Sequence, residues 1–242
     1  MKTLIIIPSR MSATRLPGKP LLKINGLSII SHVFKKAESA NIGDVIVATE
    51  DQEILEDVKK NGGNAILTSK NHKTGTDRIY EAFRIINRKD VDFVMNIQGD
   101  EPDIEIDDIK ILDTKMKSNK SKIGTMAAEI LNRKIYENEN VVKVRIDESF
   151  KKNSFPYAKN FMRKTNDKID VFHHMGIYSY QVETLKKFIS LAQSKNELNN
   201  RLEQLRAIDN DIKINVALAN KSPIGVDTKE DYLAIKNIMK YK

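Results

Sequence analysis

The sequence predicts an α/β fold: a mostly parallel, doubly wound sheet with a smaller antiparallel extension. Three observations predict it. Apolar runs through about residue 117 are continuous rather than alternating, as in strands buried on both faces. Stretches of helical period separate those runs, the pattern of strand–helix–strand crossovers. After residue 120 apolar residues alternate with polar ones, as in half-exposed antiparallel strands.

Residues 4–7 (LIII) form the first buried strand, ended by Pro8. A loop rich in Pro, Gly and basic residues fills 9–25. Ile29, Ile30, Val33, Phe34 and Ala37 then recur at helical spacing. Residues 44–49 (DVIVAT) are a second buried strand. Residues 51–60 form a helix with Ile54, Leu55 and Val58 on one face, stopped by Asn61-Gly62-Gly63. A third strand at 65–67 and a helix carrying Ile79, Phe83 and Ile86 precede a fourth strand at 92–97. In the second half, strands are expected at 123–130, 142–146, 176–180 and 212–218. Lys143 and Arg145 are expected on the exposed side of the second of these. A last helix presents Tyr232, Ile235, Ile238 and Met239 on one face. Residues 151–168 are polar and irregular and predict a mobile loop.

A chain of 242 residues buries roughly 70% of its unfolded surface and needs no staple. The absence of cysteine excludes disulfide scaffolds, thiolate nucleophiles, zinc fingers and iron–sulfur clusters. The apolar run at 4–7 is too short for a signal-peptide core. No window approaches the ~20 apolar residues of a membrane span. A soluble, cytoplasmic protein without a membrane span is therefore expected. The net charge of +8 has three readings: nucleic acid, an anionic small substrate, or a lysine-rich surface. Of the four histidines, His32 falls on the first helix and His72 in a turn. His173 and His174 are adjacent on a strand and point to opposite faces, so they suggest no zinc site.

Four segments carry candidate chemistry. Residues 9–20 follow the first strand, where open α/β sheets bind ligands. Their cations, hydroxyls and exposed N–H groups suit a polyphosphate, and suit equally a solvated basic loop. The segment is neither a Walker loop nor G-x-G-x-x-G. Gly99 and Asp100 follow the fourth strand. There a carboxylate can hold Mg²⁺ or simply form a turn or helix cap. Asp227 is a second metal carboxylate, or it or Thr228 caps the last helix. Thr74 to Arg78 offer a small-residue turn and a cation to a flat base, or an ordinary N-cap.

Residues 7–20 (IPSRMSATRLPGKP), 74–78 (TGTDR), 96–102 (NIQGDEP), 174–178 (HMGIY), 202–206 (LEQLR) and 225–228 (GVDT) occur in that order. Together they resemble the 3-deoxy-manno-octulosonate cytidylyltransferase family, the CMP-KDO synthetases, over nearly the whole chain. The resemblance implies a Rossmann-like core of the nucleotide-diphospho-sugar transferase type with an antiparallel dimerisation extension. It implies one nucleotidyltransferase domain over 1–242. Residues 1–120 would be its nucleotide-binding half, and 121–242 its sugar-acid-binding, metal-completing and dimerisation half. The implied reaction transfers CMP from CTP to the anomeric hydroxyl of a KDO-type sugar acid, releasing pyrophosphate. It serves lipopolysaccharide synthesis with Mg²⁺ as cofactor, in a homodimer. Arg10 and Lys19 would hold the triphosphate, with Pro8, Ser9 and Ser12 supporting the nucleotide. Thr74, Gly75 and Arg78 would line the cytidine side. Asp100 and Asp227 would bind Mg²⁺ and, with Arg10 and Lys19, make up the catalytic set. Gln98, Lys152, His174, Gly176, Glu203 and Gln204 would face the sugar acid.

Three departures from the family pattern, at four positions, lie on the sugar side. Lys151-Lys152 replace the usual Ser-Arg, His173 replaces Arg or Lys, and Asn200 stands where a second Glu is common. Lysine lacks the guanidinium fork. The alternative expectation is therefore a variant acceptor: an amino-substituted KDO, or another sugar acid such as a sialic acid. A catalytically dead relative is a further reading. A basic nucleic-acid-binding protein is the non-enzyme rival. It lacks support from any aromatic-interleaved basic stripe or helix-turn-helix pattern, and no nucleic-acid partner is expected.

Overall fold

Leu4, Ile5, Ile6 and Ile7 are at most 1% exposed, as a strand covered on both faces requires. They lie in β1 of a computed structural model, which describes every residue except Ala13, Thr14, Lys73, Pro223, Tyr241 and Lys242. The strands and helices begin with β1 (Thr3–Ser9), β2 (Lys23–Ile24), β3 (Leu27–Ser28), α1 (Ile29–Ser39), β4 (Gly43–Thr49), α2 (Gln52–Lys60) and β5 (Ala65–Leu67). Next come α3 (Gly75–Ile86), β6 (Phe93–Asn96), α4 (Ile106–Asn119), β7 (Ile123–Ala128), β8 (Lys143–Ile146), β9 (Ala158–Met162) and β10 (Val171–Gln181). The chain closes with α5 (Val182–Ser190), α6 (Lys195–Asn200), α7 (Leu205–Asp209), β11 (Ile214–Leu218) and α8 (Lys229–Met239). It divides into two units, one of residues 1–110 with 223–242 and one of 111–222.

In the first unit β1 pairs in parallel with β4 and β6, and β4 with β5. The strand order is therefore β6-β1-β4-β5, with all four carboxyl ends on one side. α1 buries Ile29, Ile30, Val33, Phe34 and Ala37, and α2 buries Ile54, Leu55 and Val58, as their spacing predicts. The β2–β3 hairpin turns through Asn25 and Gly26, both at positive φ (50° and 84°), as a two-residue hairpin demands. The chain's last helix belongs here too. Ile235 of α8 and Val226 join Ile24 and Ile29 in one cluster, with Tyr232 and Met239 packed against it. Ile238, expected on that face, is 38% exposed, because the stripe that packs is 232, 235 and 239.

In the second unit β10 pairs antiparallel with β7 and β8, β8 antiparallel with β9, and β11 parallel with β7. The antiparallel extension is thus present. Two expectations fail. Residues 151–168 are not a structureless loop. They contain β9, and Phe155 and Phe161 are 4% and 2% exposed, anchoring the segment to the core. Lys143 does not face outward: it is 0% exposed, because its ammonium donates to three backbone carbonyls. β11 is also more enclosed than its alternation suggests, with Asn215 and Ala217 both buried and Asn215 Nδ2 donating to Phe155 O at 2.8 Å. No helix among the described residues is long and apolar enough to cross a membrane.

Candidate active site

At the carboxyl ends of β1 and β6 the first unit holds a cavity of about 350 Å³. Its lining includes Arg10, Arg15, Lys19 and Arg78 against only two carboxylates, Asp100 and Asp227. The loop after β1 is tied down at both ends. Met11 N donates to Asp51 Oδ2 at 2.7 Å and Gly18 N to Met11 O at 3.1 Å. Asp51 begins α2 without a side-chain cap bond of its own. Gly18, at φ 73°, turns the chain so that Lys19 enters the cavity.

Lys19 is the electrostatic centre. Its Nζ donates to Asp100 Oδ2 at 2.5 Å and to Asp227 Oδ1 at 3.1 Å, and its side chain is 13% exposed. Burial disfavours the ammonium, but the attraction and hydrogen bonds of Asp100 and Asp227 outweigh it and raise its pKa. Arg15 Nη2 takes the other oxygen of Asp227 at 2.8 Å. Backbone geometry holds the pair of acids: Val226 N donates to Asp100 O at 2.9 Å. Gly99 lies so close to β1 that a Cβ there would sit 2.9 Å from Pro8 O.

The two readings of residues 227–228 separate cleanly. Thr228 caps α8, its side chain accepting from Asp231 N while Asp231 accepts from Thr228 N. That leaves the Asp227 carboxylate for Lys19 and Arg15. Thr74 likewise caps α3 in a box with Asp77, and Gly75 packs over Pro8. The cap reading and the lining reading are both realised there.

Arg78 is enclosed. Its side chain is 4% exposed, ion-paired with Glu50, and donates to Thr68 Oγ1 at 2.7 Å. It lines the cavity as a braced wall. Pro8, Ser9 and Gln98 line the cavity too, whereas Ser12 is exposed and outside the lining. Arg15 and Glu50 are not among the site residues expected from sequence, and His72 is expected there only in a turn. Arg15 carried a signal, its place within the cationic loop. Glu50, next to the end of β4, carried one as well.

The donor set fits a hard divalent cation. Two carboxylates already converge on one cationic atom, Lys19 Nζ, and offer only oxygen. Among the described residues no group of three or more His, Cys, Asp or Glu side chains could form a protein-only cage. Two converging carboxylates suit a divalent cation that completes its shell with phosphate oxygens and water.

The remaining expected residues lie in the second unit. His174 Nε2 meets Tyr178 OH at 2.9 Å and Thr125 Oγ1 at 3.1 Å, with Phe161 edge-on to its ring. Burial and the neighbouring His173 pull its pKa down to about 3. Burial, followed by Tyr180 and Glu203, pushes the Tyr178 hydroxyl well up, so Tyr178 stays a donor. Thr125 has the carbonyls of Ile177 (2.8 Å) and Met175 (3.2 Å) to donate to. His174 Nε2 therefore accepts, and the ring proton rests on Nδ1. Glu203 lies 3.8 Å from Arg206 Nη2. Arg206 and Glu197 form a buried two-point pair (2.8 and 2.5 Å) that ties α7 to α6. Gln204 is half-buried at the start of α7. Gly176 sits at the register shift of β10, and Lys152 is exposed on a turn closed by Lys152 N to Ser149 O at 2.9 Å. Tyr178, which joins His174 to the Glu203 field, was quoted only as part of a motif.

A cytidylyltransferase family model matches residues 4–214. The 3-deoxy-manno-octulosonate cytidylyltransferase of Thermodesulfovibrio yellowstonii is 40% identical, over 96% of this chain and 95% of that protein. A solved structure of CMP:2-keto-3-deoxy-manno-octonic acid synthetase complexed with CTP is 31% identical, with a TM-score of 0.89 over 100% of this chain and 99% of the other. UDP-glucose pyrophosphorylase complexed with UDP-glucose shares the fold alone, at 14% identity and a TM-score of 0.70 over 100% of this chain and 99% of that one. The mostly parallel α/β architecture is thus one found among nucleotidyltransferases. Matched along nearly its whole length, the chain belongs to the 3-deoxy-manno-octulosonate cytidylyltransferase family.

Proposed function

We propose that the protein transfers CMP from CTP to the anomeric hydroxyl of KDO, with release of pyrophosphate. The observation that carries this reading is the cation-rich cavity at the strand ends, in which Lys19 bridges Asp100 and Asp227. It agrees with the CTP named for the structural neighbour and the sugar acid named for the relatives.

Both substrates are anions, so their repulsion must be cancelled before the sugar oxygen reaches the α-phosphorus. Arg10, Arg15 and Lys19 supply fixed positive charge to the triphosphate, and preorganised charge is worth most where new charge develops. Asp100 and Asp227 would hold Mg²⁺, which when bound withdraws charge from phosphate oxygens. Thr74 and Gly75 form a close backbone wall for the pyrimidine, and Arg78 braces it from behind. The bond from α-phosphorus to the bridging oxygen breaks as the new sugar–phosphate bond forms, pyrophosphate leaves, and the hydroxyl proton passes to water. In this reading residues of the first unit take the nucleotide, and His174, Glu203 and Gln204 are the residues that take the sugar acid. A cytoplasmic homodimer paired through the antiparallel extension, acting in lipopolysaccharide synthesis, completes it.

The test is pyrophosphate release from CTP and Mg²⁺ across a panel containing KDO, an amino-substituted KDO and a sialic acid, with mass analysis of the products. CMP-KDO as the preferred product supports the reading. Preference for another acid shifts the acceptor, and no release with any acid sinks the reading. Sedimentation at micromolar concentration tests the dimer.

A further inference from the structure

The turn that carries Glu203 and Gln204 is held from behind by a residue outside every motif singled out above. Arg163 follows β9. Its Nε donates to Asn200 O at 3.0 Å, its Nη2 to Arg201 O at 3.0 Å and its Nη1 to Glu139 O at 2.9 Å. Two of these acceptors are carbonyls at the end of α6, which no later helical turn satisfies. Arg201 itself sits at φ 52°, a left-handed conformation that a residue with a Cβ keeps only when its surroundings impose it. Two residues on stands Glu203, then Gln204.

Arg163 is in turn fixed. Lys143 Nζ donates to Asn138 O at 2.7 Å, Val141 O at 2.8 Å and Arg163 O. Lys143 stands opposite His173 in the β8–β10 pairing, and His174 N donates to Val142 O at 3.0 Å. Two cations spent on neutral backbone oxygens thus tie three segments, the 138–141 loop, the end of β9 and the 200–201 turn, and backbone pairing joins the His173–His174 stretch to them. The carboxylate of Glu139 is engaged by Lys164 at 2.6 Å, so the ties of Arg163 are to main chain.

We propose that Arg163 is a positioning residue for the sugar-acid acceptor, setting the 200–204 turn through its three-pronged hold on backbone carbonyls. This rests on the reading that Glu203 and Gln204 meet the acceptor. A lysine keeps the charge but cannot span three carbonyls with a planar fork.

The experiment compares wild type with Arg163→Lys and Arg163→Gln by steady-state kinetics with CTP, Mg²⁺ and KDO, by hydrogen exchange and by Tm. In Arg163→Lys, KM for KDO is expected to rise about tenfold while kcat and KM for CTP stay within about twofold, as loss of acceptor placement alone would give. Amides of 200–205 exchange faster, and Arg163→Gln shows the same pattern more strongly. An unchanged KM for KDO, a parallel rise in KM for CTP, or unchanged exchange at 200–205 overturns the proposal. If wild type makes no product from KDO, the acceptor reading itself has failed. Exchange then decides the hold on the turn: acceleration confined to 200–205 retains it, and none removes it.

Discussion

Removing the Lys19 ammonium leaves Asp100 and Asp227 without the cation they share and strips the cavity of a largely buried positive charge. Lys19→Met is expected to lower kcat by about 10²-fold, the scale of losing one preorganised charge donor, read as pyrophosphate release at saturating CTP. His173 and His174 act on stability instead. Burial, then a neighbouring charge, depresses their pKa values from 6.5 to about 4 and about 3. The unfolded chain therefore takes up protons near pH 6.5 that the folded chain refuses. The stability they contribute is whole above pH 6.5 and is lost as pH falls through the folded values. Unfolding free energy from urea titrations should fall between pH 6.5 and 4, and His174→Gln should flatten that fall by up to about 1.4 kcal/mol per pH unit. Asp100, Asp227 and Lys19 were legible as candidates because charged residues beside turn signals at strand ends are few. Lys143 was not, since only tertiary structure shows three carbonyls converging on it.

At the scale of elements, the α8 cap divides labour between neighbours: Thr228 satisfies the helix and Asp227 faces the cavity. Thr228→Ala should cost about 1 kcal/mol of stability, seen as a lowered urea midpoint. It should also raise the Mg²⁺ concentration needed for half-maximal turnover, because the cap orients Asp227. The strands of the first unit were readable because parallel strands buried on both faces leave continuous apolar runs. β9 was not, because Lys159 and Asn160 are exposed on it and only Ala158 and Phe161 point inward. The short α6 and α7 were hidden as well. Each is too short to show an apolar period, and the buried Glu197–Arg206 pair that ties them spans nine residues of sequence.

For the whole molecule, the sequence separates what the first unit brings together. Residues 223–242 group with residues 1–110, so the second acid reaches the first from the far end of the sequence. Nothing local in a sequence marks such a return, although the GVDT motif pointed to it. A chain ending at Ser222 should lose turnover entirely, because Asp227 is gone. It should also bind a hydrophobic dye, because Ile24 and Ile29 lose the cover of Val226 and Ile235. Dye fluorescence equal to that of the full chain would count against that cover.

The same return has a meaning for the newborn protein. On the ribosome, at roughly 5–20 residues per second, residues 111–222 need on the order of ten seconds to appear. For that interval the first unit waits with a bare apolar patch and one acid of its pair. If Asp100 and Asp227 hold the metal as proposed, that capacity arrives only once residue 227 has been made, and a polypeptide halted before it would not retain CTP.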